Sequence, residues 1–385
     1  MERSFPPTMF PSFFDFLTSL EAQKENSFDA KLQLNDIRIL DKIPCANGAS
    51  CEKPGLQVCS SCKLVSYCSK TCQLKHWVLH KIDCKSKMMD SKWLPGYIQN
   101  FRQPSFLTSS ENSLDDRRQE YFGEKHQRRF GMSMSIWGNI PAFDVICLSR
   151  NEGSQKSVSG QDFSIAFVAS GDIRQLVRTV NELPKDYTGT LTILLNDGQP
   201  YVTVRNLVLL IILMTLEDSK VATEIALHIW FSAFLPSSYL HTLQSIFYPI
   251  LPTIMQPFFT LWLGKRGNVK LCGALSSQSQ MLLAVLTKFP KFSFKAARAE
   301  IQRVFSHPER VDLWDRFYSN TEPAHRVAFE QFRGFPVVLP FGAPRGHIDT
   351  PNPFLFSVKG EWLQNDGANP LESWDTLEAI QTGKK

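Results

Sequence analysis

The feature that most limits how this chain can fold is a dense group of cysteines near its N-terminal end. Seven of its nine cysteines lie between Cys45 and Cys84, together with His80. Eight thiol and imidazole donors suffice for two tetrahedral zinc sites, because each structural zinc takes four such ligands. The spacing is Cys45-x5-Cys51-x7-Cys59-x2-Cys62-x5-Cys68-x3-Cys72-x7-His80-x3-Cys84.

These spacings favour metal over the alternative of buried or disulfide-linked cysteines. The CxxC pair places two thiolates on one tight turn, and each x3 pair projects from one face of a helix. Residues 1–20 lack the basic start and apolar run of a secretory signal, and their acidic side chains argue against a mitochondrial transit peptide. We therefore expect a reducing compartment, nuclear or cytoplasmic, where clustered cysteines indicate bound metal.

The charge of this segment points away from nucleic acid. Residues 41–88 contain eight lysines and three acidic residues, and so carry the whole formal excess of +5. Seven thiolates and two Zn²⁺ ions would offset most of that charge, so the lysines balance the metal centres. No broad basic surface remains for nucleic acid. Sites with four protein ligands have no open position for water, so we expect both zinc ions to be structural.

The string CSSCKLVSYCSKTCQLKHWVLHKIDC resembles a MYND-type zinc finger of the fungal type. It carries the CxxC, YC-x3-C, CQ, HW and HxxxC elements in order, although the first pair is wider than the usual CxxC. The resemblance implies cross-bracing, and His76, one turn before His80, stays an alternative ligand. The implied ligand sets are Cys45, Cys51, Cys68 and Cys72 for one zinc, and Cys59, Cys62, His80 and Cys84 for the other.

The same resemblance implies a protein-interaction module that takes proline-rich peptides in a groove. The groove residues of the family fall on Ser60, Gln73 and Trp77. An indole offers a flat apolar surface to a stiff proline segment, and the two polar side chains can bond its backbone. The alternative is that Trp77 packs the small core. Residues Pro6–Phe10 (PPTMF) form an internal candidate ligand for the same groove.

The rest of the chain changes character several times. After Ser12, apolar residues at i, i+3, i+4 and i+7 (Phe13, Phe16, Leu17 and Leu20) predict a short amphipathic helix. We predict an N-terminal segment over 1–40, the finger over 41–88, a linker over 89–140, an α/β domain over 141–333 and a turn-rich C-terminal segment over 334–385.

The α/β domain is predicted from alternating apolar runs. Strands are expected at Phe143–Ser149, Phe163–Ala169 and Thr190–Leu195, with a helix between the last two that makes a parallel β-α-β unit. Further helices are expected at about 201–216, 220–234, 279–287 and 294–305.

The strings FVASGDIRQLVRTVNELPKDYTGTLTILLND and VRNLVLLIILMTLED resemble a domain of unknown function found beside MYND fingers in fungi. More distantly, they are similar to the N-terminal part of axonemal dynein assembly factors. The resemblance implies a Rossmann-like, methyltransferase-like fold. Gly171 and Asp197 follow successive strands, where a glycine turn and a ribose-binding acid would lie. The alternative is structural: Asp172 caps a helix, and residues 196–198 form a turn.

One apolar stretch raises the question of a membrane. Residues 225–264 contain no Asp, Glu, Lys or Arg, and 246–264 is as long as a membrane span. Three prolines, Pro249, Pro252 and Pro257, are expected to interrupt a helix there, so buried core is favoured. The basic string KFPKFSFKAARAEIQR is interpreted as a helix face over core rather than a nucleic-acid surface.

No catalytic motif of a metalloprotease, P-loop, serine hydrolase or kinase is present. The favoured function is an adaptor or regulatory protein that binds protein partners with proline-rich motifs. The alternative is an S-adenosylmethionine-dependent methyltransferase targeted by its finger. We expect no nucleic-acid or membrane partner.

Overall fold

The computed structural model describes residues 43–48, 50–108, 129–138, 140–151, 159–263 and 269–370. The predicted N-terminal helix and the candidate ligand Pro6–Phe10 lie outside these ranges. The elements are β1 (Gln57–Val58), β2 (Ser66–Tyr67), α1 (Lys70–Cys84), α2 (Gly96–Gln99), α3 (Ser105–Thr108), α4 (Leu148–Asn151), β3 (Phe163–Val168), α5 (Arg174–Glu182), β4 (Leu191–Asn196), α6 (Pro200–Thr215), α7 (Ser219–Phe231), β5 (Phe234–Leu235), α8 (Ser237–Ile254), β6 (Phe259–Leu263), β7 (Val269–Gly273), α9 (Ser277–Leu286), α10 (Phe294–Phe305), α11 (Val311–Ser319), α12 (Pro323–Gly334) and β8 (Thr350–Pro351).

The cysteine-rich segment is a short hairpin followed by a helix. β1 and β2 pair antiparallel, with Gln57 opposite Tyr67. Ser69 caps α1, because its hydroxyl accepts a hydrogen bond from the backbone N–H of Cys72 at 3.3 Å. The buried residues of this segment form a core separate from that of the rest of the protein. Apart from Ala46, Val65 and Tyr67, that core consists of cysteines, so apolar burial alone cannot stabilise it.

The predicted β-α-β unit is confirmed. β3 and β4 pair in parallel, from Phe163 opposite Leu191 to Val168 opposite Asn196, and α5 connects them. Every sheet within the described ranges has two strands. The protein is therefore of mixed helix and strand composition, but the larger parallel sheet of a Rossmann-like domain is not shown among these residues.

The strand predicted at Phe143–Ser149 is wrong. This stretch is a turn that leads into α4. The Asp144 carboxylate accepts a hydrogen bond from the N–H of Ile146 at 3.0 Å, which closes a local turn. Cys147 has φ of +52°, a left-handed conformation that a strand does not allow. The apolar run therefore reflects partial burial and not a sheet.

The main core lies among helices α6 to α10. Both helices predicted near 201–216 and 220–234 are present as α6 and α7, and those near 279–287 and 294–305 as α9 and α10. Side chains on all sides of α6 are buried, as expected for a central helix. Pro249 and Pro252 lie inside α8, so the expectation that prolines interrupt this helix is wrong. None of the described helices combines the length and apolarity needed to cross a membrane.

The described part of the C-terminal segment, residues 334–370, contributes to this core. β8 pairs antiparallel with β5, which places Pro351 opposite Phe234. Phe354, Phe356 and Trp362 are completely buried and join the main core. The turn-rich sequence therefore closes the fold instead of extending from it.

Candidate functional site

The hairpin and α1 together bring the predicted zinc ligands into two groups. Cys59 and Cys62 lie on the turn between β1 and β2, where the Lys63 N–H donates to the Cys59 carbonyl at 2.9 Å and Lys63 adopts φ of +59°. Cys68 follows β2. Three more of the ligands are on α1, at positions that place them on one side of the helix, namely Cys72, His80 and Cys84.

The first group contains Cys45, Cys51, Cys68 and Cys72, whose sulfur atoms all lie within 4.8 Å of one another. The Sγ atom of Cys68 is 3.6 Å from that of Cys51 and 3.5 Å from that of Cys72. Cys45 is completely buried, and its sulfur accepts a hydrogen bond from the Cys68 N–H at 3.5 Å. The wider first spacing, Cys45-x5-Cys51, therefore still brings both sulfurs to one site.

The second group contains Cys59, Cys62, His80 and Cys84, and all four residues are buried. The Nε2 atom of His80 lies 3.4 Å from the Cys62 sulfur and 3.5 Å from the Cys59 sulfur. The sulfurs of Cys59 and Cys84 are 4.0 Å apart.

His76 is outside this second group. Its Nδ1 atom is 3.1 Å from the Tyr67 hydroxyl, and its ring stacks on that of His80 with centroids 6.1 Å apart. Of the two histidines that the sequence left open, the structure thus brings His80 to the other donors.

The donor sets fit zinc. A zinc–sulfur bond of about 2.3 Å in a tetrahedral site separates the sulfurs by about 3.8 Å. The observed sulfur–sulfur distances of 3.5–4.0 Å bracket that value. Successive pairs of ligands along the chain belong alternately to the first and the second site, so the arrangement is cross-braced. Each site has four protein donors, which is the composition of a structural zinc site.

The acid–base properties of these side chains couple metal binding to proton release. Burial raises the pKa of Cys62 to about 12, and the nearby thiols of Cys59 and Cys84 act in the same direction. Burial also lowers the pKa of His80, which keeps its imidazole neutral and able to bind metal. Zinc must therefore displace thiol protons when it binds, and its affinity falls as the pH falls.

Comparison with known proteins agrees with this geometry. Residues 45–84 match the family model described as MYND finger. This segment is a MYND finger. Such a finger is a zinc-binding protein-interaction module, and its two ligand clusters hold two structural zinc ions.

The remaining comparisons define how far the likeness extends. Residues 136–235 match a family model described as a domain of unknown function, DUF4470. A curated protein of Schizosaccharomyces pombe, SET domain and MYND-type zinc finger protein 6, is 49% identical over 35 residues. That match covers 9% of this chain and 7% of the relative, and it falls in the MYND finger. No solved structure matches the chain. The distant likeness to dynein assembly factors stays a prediction.

The predicted peptide-binding residues lie on the outside of the MYND finger. Ser60 is exposed, and Gln73 and Trp77 are half-buried. The Trp77 ring contacts His80 edge-on, with centroids 5.9 Å apart. The Lys85 ammonium lies 5.9 Å from the centre of the same indole. Trp77 therefore packs partly against the core of the MYND finger while part of its ring stays accessible.

The other predicted residues, Gly171 and Asp197, lie together at the carboxyl ends of β3 and β4. One Asp197 carboxylate oxygen accepts a hydrogen bond from the Gly171 N–H at 2.9 Å, and the other accepts one from the Gln199 N–H at 2.8 Å. Gly171 has φ of +58°, and no atom lies within 4 Å of where its Cβ would be. Both residues line an open cavity of about 780 Å³.

Asp172 and Arg174 also line this cavity, and a third charged residue, Arg205, is buried in the same domain. Asp172 pairs with Arg174 at 2.9 Å and accepts hydrogen bonds from the N–H groups of Gly138 and Arg174. The Arg174 N–H belongs to the first residue of α5, but the N-cap of that helix is Ile173, so Asp172 is not the capping residue that the structural alternative predicted. Arg205 is completely buried and donates to the Ile136 carbonyl. Burial lowers the pKa of Arg205 to about 10, although Asp172 and Asp197 oppose the shift. Arg205 thus remains charged at neutral pH.

Sequence reasoning missed that the MYND finger packs against the C-terminal segment. Phe341 contacts its core, and a Cβ on Gly342 would lie 3.2 Å from Val65. The start of the predicted linker is also in contact with the rest of the protein, because the Arg326 guanidinium of α12 donates to the Asp90 carbonyl at 3.1 Å and stacks over the Trp93 ring. No spacing in the sequence indicates contacts between residues so far apart.

Proposed function

We propose that this protein is an adaptor whose MYND finger recruits protein partners through proline-rich peptides. The observation that carries the proposal is that Trp77, one helical turn from the ligand His80, packs on it edge-on and is only half-buried. Since both zinc sites have four protein donors, the metal serves to shape a surface and leaves no position for substrate.

The arrangement around Trp77 supports peptide binding. Metal ligation at His80 restrains the helix turn that carries the indole, so that little side-chain freedom is lost when a peptide binds. Ser60 and Gln73 offer a hydroxyl and an amide for the backbone carbonyls of a proline-rich segment, which lacks most of its own N–H donors.

A binding titration tests this proposal. We expect ten-residue peptides with two consecutive prolines to bind the full chain, and their alanine-substituted versions to bind at least tenfold more weakly. Trp77→Ala should lower the affinity at least tenfold with two zinc equivalents retained. The matched control is Leu56→Ala, which alters an exposed apolar residue of the same finger. If the wild type and Trp77→Ala bind every proline-containing peptide with equal affinity, peptide binding in the groove beside Trp77 is excluded.

A second candidate function follows from the cavity at the ends of β3 and β4. Parallel strands of α/β proteins bind nucleotides at their carboxyl ends. The cavity has apolar walls, which include Trp137 and Phe143, and it also holds the Asp197 carboxylate. This combination suits an adenosine group, so the candidate is a Rossmann-like S-adenosylmethionine-dependent methyltransferase targeted by the MYND finger.

Calorimetry separates the two candidates. Micromolar binding of S-adenosylmethionine that is lost in Gly171→Val and Asp197→Ala would favour the methyltransferase. Valine at 171 would adopt a left-handed conformation that β-branched residues rarely take, so Asp197→Ala serves as the less disruptive variant. Gly198→Ala is the control, because a Cβ added at this glycine would meet no atom within 4 Å. If titration of the wild type with S-adenosylmethionine gives no heat, the methyltransferase is excluded and the adaptor function is favoured.

Two further points belong to the proposal. The working units are taken to be the finger over 41–88 and an α/β domain over 141–333, with the linker and terminal segments as predicted from the sequence. We place the protein in the nucleus or cytoplasm, because free thiolates stay reduced there. Microscopy of the tagged protein tests the location.

A further inference from the structure

The MYND finger presents an apolar stripe on the side of α1 away from the zinc ligands. Leu74, Val78 and Ile82 follow each other at intervals of four residues and therefore lie along one face of the helix. Their side chains are 65%, 68% and 69% exposed. Three large aliphatic residues in a row, each about two-thirds exposed, form a surface suited to covering by another apolar segment. We call these three residues the α1 stripe.

The α1 stripe is bordered by positive charge. Four exposed lysines lie on and just beyond α1, and the only acidic residue of this helix, Asp83, is half-buried on another face. A partner for this stripe must therefore present apolar side chains flanked by carboxylates. The four lysines are Lys70, Lys75, Lys81 and Lys85.

One segment of this chain has that composition. Residues 12–25 place Phe13, Phe16, Leu17 and Leu20 on one face if they form a helix, and carry Asp15, Glu21 and Glu25 against the single Lys24. Their formal charge is opposite in sign to that of α1. We call residues 12–25 the acidic segment.

The chain connection allows the two to meet. Seventeen residues separate Glu25 from Ile43, whose carbonyl accepts a hydrogen bond from Gly55 within the MYND finger. A fully extended chain of that length reaches up to about 55 Å. The whole of α1 is 15 residues and therefore about 22 Å long. Residues 26–42 are therefore long enough for residues 12–25 to reach any part of α1. Because the connection is short, it also keeps residues 12–25 at a high local concentration near the α1 stripe.

We propose that the acidic segment docks as an amphipathic helix on the α1 stripe, with its carboxylates toward the surrounding lysines. Such a contact covers the exposed apolar face of the MYND finger within one molecule. This contact does not use Ser60 or Gln73, so a failure of the docking proposal leaves peptide binding in the groove untouched, and the reverse also holds.

Zero-length carbodiimide crosslinking of the full chain tests the proposal, because it joins only amines and carboxylates already in contact. Mass spectrometry of the monomer fraction should find links from Asp15, Glu21 or Glu25 to the lysines of α1. The variant Phe16→Ser/Leu17→Ser should reduce their yield at least fivefold while zinc content stays at two equivalents. Absence of such links in the wild type, or an equal yield in this variant, overturns the proposal.

Hydrogen exchange provides the second measurement. In the full chain, Val78→Lys should speed hydrogen exchange of the acidic segment at least tenfold. Leu56→Lys, which alters an equally exposed residue on the β1 side of the finger, should leave it unchanged. Equal exchange in both variants and the wild type contradicts docking. Two other results also contradict it: crosslinks confined to a dimer fraction would assign the stripe to a second copy, and stripe-dependent binding to phosphatidylserine vesicles would assign it to a membrane.

Discussion

At the scale of single residues, the zinc ligands combine structural and acid–base roles. His80 is buried among three thiols and has a lowered pKa, so it is neutral when zinc arrives. His76 lies one turn earlier and bonds Tyr67 instead. The two histidines lie one helical turn apart but make different contacts, so substitutions can separate their roles.

We expect His80→Ala to lower the zinc content from two equivalents to about one, because the second site keeps only three donors. His76→Ala is the matched control and should retain two equivalents with a small loss of stability from the missing Tyr67 contact. Elemental analysis of the purified variants measures both. A full complement of zinc in His80→Ala would show that another residue replaces it.

A second prediction concerns pH. The bidentate guanidinium of Arg102 lowers the pKa of Asp312 to about 2, against about 3.9 for an unfolded chain. A lowered pKa stabilises the fold above the unfolded value, and that contribution disappears as the pH falls toward 2. Asp312→Asn should therefore cost about 1 kcal/mol at pH 7, since solvent weakens a pair whose arginine is half exposed.

Urea unfolding of both proteins, from pH 7 down to the lowest pH at which the wild type is folded, checks this effect. The difference in free energy of unfolding should shrink as the pH falls. A difference that stays constant with pH would mean that the carboxylate charge contributes nothing. Because both proteins lose zinc alike in acid, metal release cancels in the comparison.

The ligand residues could be predicted because binding one metal ion restricts how far apart its ligands lie in the sequence. Cys59-x2-Cys62 and His80-x3-Cys84 have spacings set by one turn and one helix, and both pairs meet in the same site. The hydrogen bonds of Asp197 to Gly171 and Gln199 could not be read in the same way, since many aspartates follow strands. The sequence places Asp197 and Gly171 after successive strands, but the hydrogen bond between them is seen only in the structure.

At the scale of elements, the helices of the main core followed from apolar periodicity, and the errors came from local exceptions. At Phe143–Ser149, the Asp144 side chain bonds nearby backbone and ends any strand. In α8, burial of Phe247, Leu251 and Ile254 holds a helix that Pro249 and Pro252 would weaken in isolation. Tertiary packing outweighs the low helix propensity of proline in this case, and the sequence pattern alone does not indicate that packing.

The MYND finger is the element whose stability depends most on metal. Its core is mostly cysteine, and each structural zinc contributes on the order of 10 kcal/mol. A strong chelator should therefore unfold residues 45–84 and leave the α6–α10 core folded. Hydrogen exchange before chelation, after it and after zinc is restored measures this. Continued protection of α1 without metal would mean that packing against Phe341 suffices.

At the scale of the whole molecule, the last described residues complete the core begun by the central helices. Trp362 is completely buried against Phe305 and Phe356. We expect Trp362→Ala to lower the free energy of unfolding by about 3–5 kcal/mol. The control Val358→Ala, at a partly exposed site of the same turn region, should change it by less than about 0.5 kcal/mol. Thermal or urea unfolding measures both, and a small effect of Trp362→Ala would show that this segment is dispensable.

The contact between the MYND finger and residues near Phe341 has a consequence for biosynthesis. The ribosome completes Cys84 about 250 residues before it reaches Phe341, which at 5–20 residues per second is a delay of roughly 10–50 s. Zinc can load during that interval, but the surface around Val65 and Ala46 stays uncovered until Phe341 and Gly342 have been made. Nascent chains of this protein should therefore need chaperone protection at that surface while the residues between Cys84 and Phe341 are made.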